Sequence, residues 1–188
     1  QEFAGAIAPS DILVNYAWYA QKENLSDFSI INDFQKFVHI VNNKFRVSSQ
    51  SPFTNISLFD RPNLEKVFEH YTYPDGSKVD IEYVIKLEKM FGDWFSKGDP
   101  DTNLPYRFPI VTLNISKNEN GEITDQDFLD WASKVNLNTG CFNIYVNIGS
   151  KIASCCRLVN DVERMQYRAD TFGNGGLSIR SEERRVGK

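Results

Sequence analysis

The run Pro109-Ile110-Val111-Thr112-Leu113-Asn114-Ile115 constrains the chain most, because its β-branched density is typical of a buried strand and helix-period segments flank it on both sides. Ile12, Leu13, Tyr16, Ala17 and Tyr19 follow Pro9-Ser10-Asp11 at helical spacing and predict a first helix from about Ser10 to Lys22. Ser26-Asp27 starts a second, whose Ile30, Ile31, Phe34, Phe37, Val38 and Val41 form one hydrophobic face. Gln50 to Phe59 reads as extended and ends at an Asp60-Arg61-Pro62 breaker, after which Asn63 is expected to cap a short helix through Tyr71. Asp80 opens an amphipathic helix carrying Ile81, Val84, Ile85, Leu87, Phe91 and Phe95, and Thr124-Asp125 caps another with Phe128, Leu129, Trp131, Ala132 and Val135. Phe142 to Asn147 is a further strand. Helices thus alternate with apolar strands, which predicts an α/β class with a largely parallel sheet.

With 188 residues, 41% of them hydrophobic and 13% aromatic, the chain can bury a sizeable core and reads as one soluble globular domain. Its apolar stretches are far shorter than the ~20 residues that cross a bilayer. Gln1-Glu2-Phe3-Ala4 has neither the charge nor the apolar run of a secretory signal, and the missing initiator Met fits a start inside a longer protein. A net charge of −4 and a pI near 5.3 argue against a nucleic-acid-binding surface. Three cysteines, two of them adjacent, make no disulfide framework and predict reduced thiols in a cytoplasm.

Three segments are candidates for chemistry. Ser154-Cys155-Cys156-Arg157-Leu158 follows a strand, lacks a clear period, and as a loop could present two thiols to a cavity; buried cysteines acting as small hydrophobes are the commoner case. No Cys-x-x-Cys is present, His39 and His70 lie far away in sequence, and no metal site is expected. Phe172-Gly173-Asn174-Gly175-Gly176-Leu177-Ser178 would allow close backbone approach to a ligand, phosphate included, although it matches no standard phosphate motif. In Gln50-Ser51-Pro52-Phe53-Thr54-Asn55 polar groups interrupt an apolar strand, and buried polar groups need partners, a ligand among them. Glu82, Lys86, Asp125 and Asp127 are expected on solvated helix faces with no acid/base role.

Taken in order, five segments resemble the anaerobic, class III ribonucleoside-triphosphate reductases: Gln1 to Ala6, Ser49 to Ser57, Tyr106 to Asn114, Cys155-Cys156-Arg157-Leu158 and Asn174 to Ser178. The resemblance implies part of a ten-stranded α/β barrel whose central finger loop carries a thiyl-forming cysteine. By that likeness the thiyl residue is Cys156, with Cys155 supporting the loop and Cys141 structural. It also implies that Ser51, Asn55, Asn114, Asn174, Gly175 and Gly176 contact substrate. The full enzyme is expected to reduce ribonucleoside triphosphates to deoxyribonucleoside triphosphates and to work as a homodimer. It would need a glycyl radical, structural zinc, allosteric ATP and dNTP, a formate or thioredoxin-like reductant and an iron–sulfur, S-adenosylmethionine-dependent activase, none of these supplied within this chain.

Residues 1–179 read as the central part of that barrel domain, incomplete at both ends, and an open partial barrel predicts aggregation through unpaired strand edges. Arg180 to Lys188 departs from the family pattern and resembles an in-frame translation of a sequencing-library adapter, AGA TCG GAA GAG CGT CGT GTA GGG AAA. Native sequence is therefore expected to end at Ile179. With four basic and two acidic side chains this stretch adds +2 to a total of −4, so the remainder stands at −6 and no basic binding patch is inferred. Two other readings remain: another glycyl-radical enzyme, related to pyruvate formate-lyase, or a non-catalytic nucleotide-binding or dimerisation module with the cysteines merely packed.

Overall fold

The computed structural model describes residues 6–43, 53–148, 151–155 and 158–161. Its elements run β1 (Ala6–Ile7), α1 (Ile12–Lys22), α2 (Asp27–Asn42), β2 (Phe53–Phe59), α3 (Arg61–Val67), α4 (Ile81–Phe95), β3 (Ile110–Lys117), α5 (Gln126–Thr139), β4 (Phe142–Ile148), β5 (Lys151–Cys155) and β6 (Leu158–Asp161). Side-chain oxygens start three of the helices where the sequence predicts. Ser26 accepts from the Ser29 amide at 3.2 Å, Asp80 from Tyr83 at 3.1 Å and Asp125 from Phe128 at 3.0 Å. Gly140, at φ 62°, adopts the left-handed conformation that ends α5.

Two expectations about local structure are corrected. Asp60, not Asn63, caps α3 by accepting the Asn63 amide at 3.2 Å, so Asp60-Arg61-Pro62 starts a helix instead of breaking one. Pro62 is tolerated because the first-turn amides have no helical partner to lose. The segment around Cys155 also has strand structure: β5 and β6 pair antiparallel, with Cys155 opposite Leu158.

The strands β1, β2, β3 and β4 lie side by side in sequence order, and each neighbouring pair is parallel. Right-handed crossovers between strands laid down in one direction place their helices on the same face of the sheet, and that face is apolar. Ile56, Leu58, Val111, Leu113 and Ile115 are fully buried in one core with Val84, Leu87 and Phe91 of α4, Phe34 of α2 and Phe128 of α5. Phe34 meets Phe91 edge-on with centroids 5.1 Å apart, which locks α2 onto α4.

Candidate functional site

The parallel register puts alternate residues of the three long strands on the opposite face, away from this core. Ser57, Thr112 and Asn143 are in line, as are Asn114 with Tyr145 and Ser116 with Asn147. Asn55 precedes Ser57 by two positions and shares its face. Asn55, Ser57, Thr112 and Asn114 are nevertheless buried, so this is an enclosed polar surface and not a solvated one. Parallel sheets normally bury apolar runs on both faces, and a buried polar face therefore calls for specific partners.

Part of that demand is met within the sheet and part by the hairpin. Thr112 Oγ1 donates to Asn55 Oδ1 at 2.9 Å, and Asn55 Nδ2 donates to the Ile56 carbonyl at 3.2 Å. Asn114 Oδ1 accepts the Ala153 amide at 2.6 Å, while its Nδ2 and Ser57 Oγ each donate to the Ala153 carbonyl at 3.1 Å. β5 is thus laid across the polar face, and the chain then runs to Cys155 and Cys156. Asn147 is different: among the described residues neither polar atom of its buried amide has a hydrogen-bond partner.

Of the residues singled out from sequence, Asn55 and Asn114 stand on this face, and Cys155 is the last residue of the strand covering it. Cys156, Ser51, Asn174, Gly175 and Gly176 lie outside the described residues. Cys141 is half-buried just ahead of β4, where burial pushes its thiol up despite a 3.1 Å hydrogen bond from Thr139. That environment disfavours a thiolate. His70 is exposed and stands 3.9 Å from Glu69. Among the described residues no three His, Cys, Asp or Glu side chains stand together as metal ligands, so they do not fit a zinc site.

Several polar residues were not anticipated. Ser57, Thr112 and Asn147 each sit two positions from a polar neighbour, and that alternation was the signal. Glu88, on α4, buries its carboxyl and accepts the Phe59 amide at 3.1 and 3.2 Å. Burial pushes it well above the ordinary carboxylate range, and nearby Asp60 adds to the rise against the Phe59 hydrogen bond. Asp60 is itself raised by burial, although the Ser116 amide and hydroxyl and the Asn63 amide oppose the rise. Asp125 is half-buried instead of solvated, and it accepts the Arg61 amide at 3.1 Å as well as capping α5. A cleft of about 570 Å³ bounded by Arg107, Ile110, Gly140 and Asn143 lies at the amino-terminal ends of β3 and β4; Cys141 lines it, but none of the residues expected to contact substrate does.

Solved anaerobic ribonucleotide reductases share this architecture. The Thermotoga maritima enzyme in complex with dATP and CTP is 28% identical, with a TM-score of 0.65 over 74% of this chain and 24% of that one. The same enzyme with glycerol in its active site is 30% identical, with a TM-score of 0.66 over 78% of this chain and 25% of that one. A further anaerobic ribonucleotide reductase matches at 28% identity and a TM-score of 0.66 over 79% of this chain and 24% of that one. The chain spans about a quarter of the length of these structures. No curated protein matches it in sequence. The profile of the anaerobic ribonucleoside-triphosphate reductases matches residues 1–181, and the chain belongs to that family. Membership separates it from the pyruvate formate-lyase relatives with which an adjacent cysteine pair alone would also be compatible.

Proposed function

We propose that this chain forms part of the nucleotide cavity of an anaerobic ribonucleoside-triphosphate reductase and carries its radical cysteine, Cys156. The observation that carries the reading is the enclosed polar face of a parallel sheet with β5, which ends at Cys155, laid across it, in a chain of this family. Strands in sequence order with their helices on one side are the arrangement a closed α/β barrel uses, and this supports a ten-stranded barrel with the cysteines on its finger loop. Asn55, Asn114, Ser51, Asn174, Gly175 and Gly176 are assigned to the cavity wall.

In this reading Cys156, as a thiyl, takes the 3′ hydrogen of a ribonucleoside triphosphate. The 2′ hydroxyl leaves as water, formate or a thioredoxin-like protein supplies two electrons, and Cys156 returns the hydrogen. A water-excluding cavity protects the sulfur and holds it against the ribose, which suits a buried polar wall better than an open loop. A glycyl radical, installed by an iron–sulfur, S-adenosylmethionine-dependent activase, generates the thiyl. The whole enzyme is assigned to the cytoplasm as a homodimer under ATP and dNTP control, with its structural zinc held by residues other than those described. Among the described residues no helix is long and apolar enough to cross a membrane.

The decisive experiment replaces Cys156 by Ser in the full-length parent, activated anaerobically. Nucleotide should still bind and reduction should cease. Retained reduction would sink the thiyl assignment.

A further inference from the structure

We infer that Asn114 and Ser57 are positioning residues for the radical cysteine: they pin to the sheet, through Ala153, the strand β5 that leads to it in sequence. The inference rests on the reductase reading above. The Asn114 amide acts as a neighbouring strand would, accepting the Ala153 N–H at 2.6 Å and donating to its C=O at 3.1 Å, so one side chain satisfies both backbone groups of one residue. Ser57 Oγ adds a second donor to the same carbonyl at 3.1 Å and stands 3.4 Å from the Ser10 hydroxyl. Asn114 and Ser57 are each 1% exposed and Ala153 is 4% exposed, so water cannot readily replace a lost partner.

Asn114 is also held from behind. Its own carbonyl accepts the Asp60 amide at 3.1 Å and Asn63 Nδ2 at 3.2 Å, at the start of α3. The pin is therefore fixed to the helical layer as well as to the sheet. Beyond the pin, the β5–β6 ladder shifts register between Ala153 and Cys155. Such irregularities re-aim the strand that follows, and their direction is set by the last anchored residue, here Ala153. Cys156 follows Ala153 by only three residues in sequence, so a shift at Ala153 is passed on toward it.

The test is made in the full-length, activated parent with Asn114→Ala and with the milder Ser57→Ala. Turnover per radical and the isotope effect of 3′-deuterated nucleotide are measured together, because an unfolded fraction lowers turnover without changing an isotope effect. For Asn114→Ala turnover should fall on the order of 10²-fold, as ångström-scale misplacement of reacting atoms does, with the 3′ isotope effect increased. For Ser57→Ala a fall on the order of fivefold is expected, with the isotope effect moving in the same direction. Unchanged turnover, or lower turnover with an unchanged isotope effect, would overturn the positioning role and leave the reductase reading intact. An unaltered parent that reduces no nucleotide would overturn both.

Discussion

Glu88 carries its carboxyl into the packed layer between α4 and β2, where it is 1% exposed and its hydrogen bond comes from the Phe59 amide. Burial dominates, so the folded state holds the Glu88 proton far more tightly than the unfolded chain does. Below the unfolded carboxyl value both states are protonated and the group contributes no pH dependence. As pH rises through it the unfolded chain releases its proton while the folded chain keeps it, and stability declines by at most about 1.4 kcal/mol per pH unit until the raised folded value is reached. Glu88→Gln removes that dependence while keeping an acceptor for Phe59. Urea unfolding at pH 4.5 and pH 7 should therefore show the variant gaining on the unaltered chain at the higher pH. An equal difference at both would contradict the assignment. Glu88 was legible in principle, since Val84, Glu88, Phe91 and Phe95 follow helical spacing, but a charged residue is read by default as solvated.

Among the elements α4 is central, touching α1, α2, α3, α5 and β2. Gly92 makes one of these approaches possible: a β-carbon there would stand 2.6 Å from Trp131 Cζ2 and 3.0 Å from Phe142 Cζ. The indole cannot simply swing away, because its Nε1 donates to Asp93 at 2.8 Å. Gly92→Ala gains up to about 1 kcal/mol of helix propensity but overpacks this contact by roughly 1–3 kcal/mol. We expect a net loss of stability in denaturant, with a changed tryptophan fluorescence signal; an alanine variant as stable as the parent would refute the contact. The helices were legible because capping residues and apolar periodicity agree, whereas α3 was misplaced because a proline in a first turn resembles a breaker. Glu82 and Lys86, four apart on α4, bond not to each other but to Arg61 of α3 and Asp27 of α2. Tertiary partners of this kind leave no trace in local spacing.

At the scale of the molecule the sheet ends, among the described residues, at β4. Ile144, Val146 and Ile148 on its apolar face are 44%, 41% and 50% exposed, whereas Val111, Leu113 and Ile115 on the same face of β3 are fully covered. An apolar, unpaired edge is a template for association. The purified chain should self-associate with concentration in light scattering, and Val146→Lys should reduce this; a monomer at all concentrations would contradict it. The parallel sheet was legible in the alternation of elements, and Asn55 and Asn114 in their polarity. The hairpin over the polar face was not, because it depends on side chains reaching Ala153 from strands 39 and 96 residues away in sequence. Along β3 the chain alternates between two vocabularies, Val111, Leu113 and Ile115 written for the helices, Thr112 and Asn114 for the polar face. A slip of one residue would exchange them, setting amides among phenyl rings and leaving the backbone of Ala153 unheld. Each face thus proofreads the other's register, and a strand that meets both readers has a single frame in which to pair.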